Sequence, residues 1–261
     1  MVTKQDTRNA TSTKVLNEHG EKLDVVIEGN KNSKTTIIFV HGLGADKEEN
    51  FNLFVDLSRP LLEKYQVLRF DLSGCGKSEG REEDSSCRKH SRDLNSIIDY
   101  TKQELRTSAY IVAHSMGAFV VSMLSPENIG RTAFITVPGS DTLKSIEALQ
   151  NRIRSRPGGI VDENKTSIYP RSNGDVQKIG PDFWRSLKEF NPLAAMETEL
   201  AKTDLIVFGA LQDDVVDPKS VIEYKHIEGL RYVDLQGNHN FTKAKDRDVL
   251  ISKINEFFGV L

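Results

Sequence analysis

A serine stands where an apolar strand pattern passes directly into an apolar helix pattern, in the stretch Ala109-Tyr-Ile-Val-Ala-His-Ser115-Met-Gly117. A sharp strand-to-helix turn forces such a residue into strained backbone geometry, so the residues two positions away must be small, as Ala113 and Gly117 are. The helix N-terminus also offers unpaired N–H groups to a developing oxyanion. The pattern favours a nucleophilic serine at Ser115. A buried serine at an ordinary strand-to-helix turn is the alternative.

A nucleophilic serine needs a general base and an acid that orients this base. Of the six histidines, His239 lies in the segment 237–241, just after the last apolar strand pattern. Sites in parallel sheets gather at the carboxyl ends of the strands, which favours His239 as the base. Asp213 and Asp214 both follow the preceding strand pattern, and their spacing leaves the choice between them open. The order serine, aspartate, histidine along the chain is the order described for one fold with this chemistry.

These residues need a scaffold, and six short strand patterns provide it. They are rich in β-branched and aromatic residues and apolar on both faces, as strands buried in a parallel sheet are. The strands are predicted at Thr35–Val40, Gln66–Leu72, Ala109–His114, Thr132–Val137, Asp204–Gly209 and Leu230–Leu235. Amphipathic helix patterns alternate with them, so the sequence predicts an α/β fold with a mostly parallel central sheet and helices on both faces. An antiparallel hairpin within residues 14–28 is expected at the sheet edge.

One segment interrupts this alternation. About 65 residues separate Val137 from the strand that starts at Asp204, far more than the few residues usual between such elements. The segment contains helix patterns over 145–154 and 182–190 and strand-like pieces at 160–161 and 167–169. We therefore predict that residues 139–200 form a cap inserted after the sixth strand. Residues 1–138 and 201–261 then form one core, because the strands that carry the serine, the acid and the base must share a sheet.

Charge and composition exclude several functional classes. The chain has 35 basic and 38 acidic residues, a net charge of −3, and therefore lacks the basic character of nucleic-acid-binding domains. No apolar run approaches the roughly 20 residues that a membrane-spanning helix needs, and the first residues do not form an apolar leader. We therefore expect a cytoplasmic protein with no nucleic-acid partner and no membrane span.

Metal and nucleotide sites are not expected either. Two cysteines, Cys75 and Cys87, are too few for a cysteine-rich zinc site, and no HExxH or clustered ligand pattern occurs. The stretch Gly76-Lys77-Ser78 is similar to the end of a phosphate-binding loop, but the first required glycine would fall at position 71, which is Asp. The sequence thus predicts no metal and no cofactor.

With these motifs the chain resembles the α/β-hydrolase superfamily from about residue 20 to its end. The segments His41-Gly-Leu-Gly44 and Asp71-Leu-Ser-Gly-Cys-Gly-Lys-Ser78 match further motifs of that superfamily. The resemblance implies an α/β-hydrolase fold, with the backbone N–H groups of Leu43 and Met116 forming the oxyanion hole. It also implies Asp213, in Asp213-Asp-Val-Val216, as the acid and His239 as the base. Intracellular bacterial esterases of the cinnamoyl/feruloyl-esterase and monoacylglycerol-lipase kind are the most similar in pattern.

The resemblance implies a serine esterase that acts on small or medium esters, including aromatic ones, as a monomer or homodimer. A thioesterase, amidase or C–C hydrolase would use the same three residues, and a non-catalytic binding protein on this fold is a further alternative. Trp184 is expected either in an apolar wall above the serine or as an anchor of the insertion to the core. Asp141 and Tyr169 are expected to bind a phenolic hydroxyl, because feruloyl esterases place polar cap residues over the acyl ring.

Overall fold

The structure is a computed structural model, and it describes residues 10–171 and 173–260. Its strands are β1 (Thr11–Leu16), β2 (Lys22–Gly29), β3 (Thr35–Val40), β4 (Gln66–Phe70), β5 (Ser108–His114), β6 (Ile129–Ile135), β7 (Ser167–Pro170), β8 (Val176–Ile179), β9 (Asp204–Ala210) and β10 (Arg231–Leu235). Its α-helices are α1 (Leu53–Ser58), α2 (Cys87–Tyr100), α3 (Met116–Leu124), α4 (Thr142–Arg154), α5 (Pro181–Lys188), α6 (Pro192–Lys202) and α7 (Ala244–Phe258). None of these helices is long and apolar enough to cross a membrane.

Eight of the strands form one mixed sheet in the order β1-β2-β4-β3-β5-β6-β9-β10. Strand β2 runs antiparallel to both β1 and β4, while the other neighbouring pairs are parallel. The predicted mostly parallel sheet with an antiparallel hairpin at its edge is therefore confirmed. Because β3, β5, β6, β9 and β10 point the same way, their carboxyl ends meet at one edge of the sheet, where a site can form.

Both faces of the sheet are buried, and β3 illustrates why. Its alternate residues enter different clusters, since successive strand side chains point to opposite faces. Ile37 and Phe39 pack with the apolar residues of α1 and α7. Ile38 and Val40 pack with those of α2, α3 and α6 on the other side. A strand covered on both faces has no polar side, which explains the unbroken apolar run in the sequence.

Three local features differ from the sequence predictions. Strand β6 begins at Ile129 and ends at Ile135, before the predicted end at Val137, because Thr136 adopts a left-handed conformation with φ of 47°. The helix predicted from the 3–4 spacing of Leu94, Ile97, Ile98, Thr101 and Leu105 is α-helical only to Tyr100 and continues as one π-helical turn over Thr101–Leu105. Of the two strand-like pieces in the insertion, Ile160 makes only an isolated bridge to Ile168, and β7 pairs instead with β8, a strand that was not predicted.

Elements α4, β7, β8, α5 and α6 lie between β6 and β9, where the cap is predicted. Helix α6 continues past the predicted boundary at residue 200 and leads directly into β9. The division into a core and a cap stays a prediction. Positions 1–9 and 261 of the predicted core and position 172 of the predicted cap lie outside the described residues.

The segment 139–200 contacts the loop between β4 and α2 closely. The Lys178 backbone N–H donates to Glu82 Oε2 over 3.0 Å. Gly180 lies so near this loop that a Cβ there would come within 1.8 Å of the Glu83 carbonyl oxygen. Only glycine allows this approach, so β8 is held against the loop by backbone contact as well as by hydrogen bonds.

Candidate active site

Ser115 occupies the turn between β5 and α3 in a strained conformation, with φ of 52° and ψ of −123°. A non-glycine residue rarely adopts such angles, and the surrounding structure must hold it there. The Ser115 N–H donates to the Ile135 carbonyl over 2.9 Å, which ties the turn to β6. At Gly117, an added Cβ would lie 2.3 Å from the Val40 carbonyl oxygen, so this position admits only glycine. The expectation of a strained serine flanked by a required small residue agrees with this geometry.

His239 lies between Ser115 and Asp213. Its Nε2 is 3.0 Å from Ser115 Oγ, and its Nδ1 is 2.8 Å from Asp213 Oδ2. The other carboxylate oxygen of Asp213 accepts the N–H groups of Val215 and Val216, each over 2.8 Å. Asp213 thus has a fixed orientation and faces the imidazole with one free oxygen.

Asp214 has a different contact. Its Oδ1 accepts the backbone N–H of His239 over 3.3 Å and does not touch the ring. The choice that spacing left open between the two aspartates therefore has a geometric answer: Asp213 contacts the imidazole, and Asp214 contacts the backbone of the loop that carries it.

The protonation state of His239 follows from its surroundings. Its side chain is almost completely buried, and burial lowers its pKa, against the opposing effect of the hydrogen bond to Asp213. A carboxylate only accepts hydrogen bonds, so Nδ1 carries the proton and the neutral ring turns the lone pair of Nε2 towards Ser115. This arrangement can remove a proton from the serine hydroxyl.

Leu43 and Met116, the predicted oxyanion-hole residues, flank Ser115. Met116 is the first residue of α3, where a backbone N–H has no partner within its helix. Leu43 follows Gly42, and a Cβ added to Gly42 would lie 3.2 Å from Ser115 Cβ, so this loop passes directly beside the serine. The two N–H groups therefore belong to backbone on either side of the serine side chain.

His41 orients the peptide that carries the Leu43 N–H, a role that the sequence analysis did not assign. Its Nε2 accepts the Leu72 N–H over 3.0 Å, so its Nδ1 carries the proton and donates to the Gly42 carbonyl over 2.9 Å. In a trans peptide the C=O and the following N–H point in opposite directions. Fixing the Gly42 carbonyl therefore fixes the direction of the Leu43 N–H.

A pocket adjoins the loop at Leu43 and the first turn of α3. Its lining is mainly apolar and comes from the loop after β4, from α3 and from the insertion, with Leu72, Val120, Ile179 and Phe183 among the lining residues. Glu82, Gln177 and Lys178 add polar groups to it. Ser115 is not among the lining residues, but Leu43 and Met116 are, so the pocket places an apolar surface next to the site.

Comparison with known proteins agrees with the fold. Residues 35–157 match the family model described as the alpha/beta hydrolase fold. The chain is an α/β-hydrolase in fold. No curated protein matches it.

Several solved structures share this fold over nearly their whole length. The esterase domain of a Rhodothermus marinus protein has a TM-score of 0.70 at 19% identity, covering 95% of this chain and 97% of its own. Est1E from Butyrivibrio proteoclasticus, with ferulic acid bound, has a TM-score of 0.74 at 19% identity, covering 94% and 98%. The Pyrococcus furiosus esterase Pf2001 has a TM-score of 0.71 at 19% identity, covering 97% and 91%.

The three predicted substrate contacts are not among the residues that line that pocket. Asp141 caps the N-terminus of α4, accepting the Lys144 N–H. The Trp184 indole is buried and donates its N–H to Ser167 Oγ over 3.3 Å, which fits the anchoring alternative, and its neighbour Phe183 lines the pocket. Tyr169 is buried beneath the Arg171 guanidinium, 4.8 Å from its ring centre. Contact between these three residues and a substrate stays a prediction.

Arg171 and Gln177 on the β7–β8 hairpin lie nearer to the site, and no sequence pattern pointed to them. A Cβ at Gly44 would lie 2.6 Å from Gln177 Oε1 and 3.1 Å from the Arg171 guanidinium carbon, so the hairpin closes over the loop that carries Leu43. Gly44 itself has a positive φ of 68°. Both the backbone conformation and the close approach require glycine there.

The free cysteines do not provide chemistry at this site. Cys75 and Cys87 line the pocket, but burial raises the pKa of both thiols to about 12. A thiol with so high a pKa is protonated at neutral pH and is a poor nucleophile or metal ligand. Among residues 10–171 and 173–260, no group of three or more His, Cys, Asp or Glu side chains could hold a metal ion.

Proposed function

We propose that the chain is a serine carboxylic-ester hydrolase that works through an acyl-enzyme intermediate. The observation that carries this proposal is the row of hydrogen-bond contacts from Ser115 Oγ, through both ring nitrogens of His239, to Asp213. A serine hydroxyl is a weak nucleophile, and a neutral imidazole in contact with it is the usual means of activating it. The match of residues 35–157 to a hydrolase family supports hydrolase activity in general.

In the first step, Ser115 Oγ attacks the ester carbonyl carbon while His239 Nε2 takes the hydroxyl proton. Asp213 keeps the imidazole oriented and stabilises the imidazolium. The carbonyl oxygen becomes an oxyanion, which receives the N–H groups of Leu43 and Met116. Removing one such donor costs roughly 3–4 kcal/mol of transition-state stabilisation in comparable enzymes.

The tetrahedral intermediate then collapses. The bond between the carbonyl carbon and the alcohol oxygen breaks, and His239 gives its proton to the leaving alcohol. A water molecule repeats the sequence on the acyl-enzyme: His239 takes one water proton, the hydroxide oxygen bonds to the acyl carbon, and Ser115 Oγ leaves with the proton. The products are an acid and an alcohol, and no metal or cofactor takes part.

We propose small or medium neutral esters as substrates, including aromatic ones of the cinnamoyl or feruloyl type. The apolar lining of the pocket beside Leu43 and Met116 supports an uncharged, apolar group. The ferulic acid in the Est1E structure supports the aromatic type for a protein of the same fold. We further propose that residues 139–200 act as a cap, because Ile179 and Phe183 of that segment form part of the lining.

The direct test is Ser115→Ala assayed with p-nitrophenyl butyrate. We expect hydrolysis to fall to the background rate while the melting temperature changes little, because the hydroxyl is lost without a change of backbone. Ser122→Ala, which alters another hydroxyl on α3, is the matched control and should keep its activity. Full activity in Ser115→Ala would refute the assignment.

A substrate panel separates the alternatives that share this chemistry. Ethyl ferulate, a short aliphatic ester, a monoacylglycerol, a thioester and an anilide should be compared by kcat/KM, and we expect the esters to exceed the thioester and the anilide. Labelling of wild type, but not of Ser115→Ala, by a fluorophosphonate probe distinguishes an enzyme from a binding protein. Absence of labelling would support the binding protein.

A further inference from the structure

A second histidine lies against the proposed base. The His114 side chain is 1% exposed, and its ring centre is 4.9 Å from that of His239. Its Nε2 lies 3.0 Å from the His239 backbone carbonyl oxygen, and its Nδ1 lies 3.1 Å from Glu49 Oε2. The Glu49 carboxylate is itself fully buried. The proposed mechanism uses neither residue.

The geometry fixes the charge of both partners. A carbonyl oxygen only accepts hydrogen bonds, and Glu49 accepts N–H groups from Gly42 over 2.7 Å and Asn50 over 3.0 Å, which favours its ionised form. Nε2 of His114 therefore donates to the carbonyl, while Nδ1 lies at ion-pair distance from the Glu49 carboxylate without making a hydrogen bond of good geometry. This negative charge favours the doubly protonated imidazolium. Burial opposes both charges, yet each group favours ionisation of the other: the pKa of Glu49 falls to about 2, and that of His114 is raised.

Glu49 also connects two parts of the site. Its Oε2 holds the Gly42 N–H, in the loop that presents the Leu43 N–H, and the same oxygen faces His114, the residue before Ser115. Glu49 adopts a positive φ of 58°, a strained conformation for a non-glycine residue. Such strain persists where surrounding contacts hold it, and here the buried carboxylate makes those contacts.

We infer that Glu49 and His114 form a buried positioning pair, which holds the loops of Gly42 and His239 beside the serine and keeps a positive charge next to the imidazole of His239. This inference rests on the proposed function, since it concerns the state of the proposed base. The His114 imidazolium disfavours a second positive charge on His239, so His239 stays neutral and able to accept the serine proton at lower pH.

Other charged groups face His239, and their combined effect determines whether its pKa should rise or fall in a variant. Asp213 contacts the ring of His239 and Asp214 its backbone, while His41 lies near Glu49. Burial lowers the pKa of His239, His114 lowers it further, and Asp213 and Glu49 raise it, with Glu49 exerting the smaller effect. Neutralising Glu49 and His114 together should therefore raise the pKa of His239.

The test compares the double variant Glu49→Gln/His114→Gln with wild type over the pH profile of kcat/KM for p-nitrophenyl butyrate. The acidic limb should move to higher pH by roughly one unit. This is the expected effect of losing a charge at ~5 Å from the imidazole whose influence was partly offset by its counter-ion. Activity should then fall about tenfold below the limb and far less at pH 8. Glu147→Gln/His226→Gln makes the same changes at exposed positions and should leave the limb in place.

Further measurements separate positioning from mere folding. Glu49→Asp keeps the charge, and we expect it to restore the limb at least in part. A double variant with a lower melting temperature and lower kcat but an unmoved limb would overturn the inference. If the double variant does not fold, His114→Gln alone should move the limb in the same direction, because it removes the charge that lowers the pKa of His239.

NMR titration of His239 measures its pKa without turnover. If that pKa rises in the variant while wild type hydrolyses no ester, the proposed function fails and the positioning pair stands. If wild type is an esterase and the pKa does not move, the pair is refuted and the proposed function stands.

Discussion

Glu199 on α6 allows a test of the packing in which the expected change in the free energy of unfolding can be calculated. Its side chain is fully buried, and neither carboxylate oxygen has a hydrogen-bond partner among the residues that the structure describes. Burial raises its pKa from 4.5 to about 8, because the charged form loses its water and the nearby charge of Lys202 offsets only part of this loss. Glu199→Gln keeps the shape and removes the ionisation, so the variant should be more stable than wild type wherever the unfolded chain would ionise this residue.

The direction and size of this stability difference follow from proton linkage. Between pH 4.5 and 8 the folded protein holds the Glu199 proton and the unfolded chain releases it, so the stability of wild type falls as pH rises through this window. The gain from Glu199→Gln should grow from about 1 kcal/mol at pH 5 to about 3 kcal/mol at pH 7 and about 5 kcal/mol at pH 9. Each unit of pKa difference between the folded and unfolded states corresponds to about 1.4 kcal/mol, so the full difference for Glu199 sets the maximum gain in stability.

Urea unfolding of both proteins at pH 5, 7 and 9 measures this difference directly. Glu197→Gln makes the same chemical change at an exposed position of α6 and is the matched control, with an expected effect within about 0.5 kcal/mol at each pH. A gain that does not depend on pH would mean that Glu199 ionises normally in the folded protein. An equal slope for Glu197→Gln would refute the assignment to burial.

Two further predictions concern the site. Asp213→Asn should lower kcat for p-nitrophenyl butyrate by about 10⁴-fold, because the amide no longer holds the required tautomer of His239. Asp214→Asn alters only a contact to backbone and should lower kcat less than about tenfold. Equal losses of kcat in steady-state kinetics would contradict this difference. Gly117→Ala should destabilise the fold by about 1–3 kcal/mol and disturb Ser115, because the new methyl group meets the carbonyl end of β3. Ala118→Gly, one residue further along α3, should cost about 1 kcal/mol in urea unfolding and leave hydrolysis nearly unchanged, so similar activities for the two variants would contradict the steric argument.

The sheet could be predicted because its strands are buried on both faces. Runs such as Ile37–Val40 are apolar throughout, and the alternation of strands and helices along the chain leaves few possible topologies. The position of Ser115 was also predictable, since a strained turn requires the small residue Gly117 two positions on. Local chemistry in the sequence determines both of these features.

Features that depend on distant contacts could not be predicted in the same way. Strand β8 has four residues that alternate between exposed and buried, too weak a pattern without its partner β7. The pairing of Glu49 with His114 joins residues far apart in sequence, and neither residue has a local signature. Spacing alone left Asp213 and Asp214 open, the family resemblance favoured Asp213, and the contact that separates the two comes from the ring of His239. In each case the decisive neighbour comes from another part of the chain.

The close approach of β8 to the loop after β4 has a consequence for recombination between related enzymes. Gly180 meets the backbone of Glu83, and Lys178 bonds to Glu82, so the two segments are matched in shape and in hydrogen bonding. A hybrid that takes residues 139–200 from a relative while keeping its own residues 72–90 would place mismatched backbones in contact. Exchanging both segments together preserves the match, so a hybrid that keeps this packing must take two pieces of sequence that lie far apart in the chain.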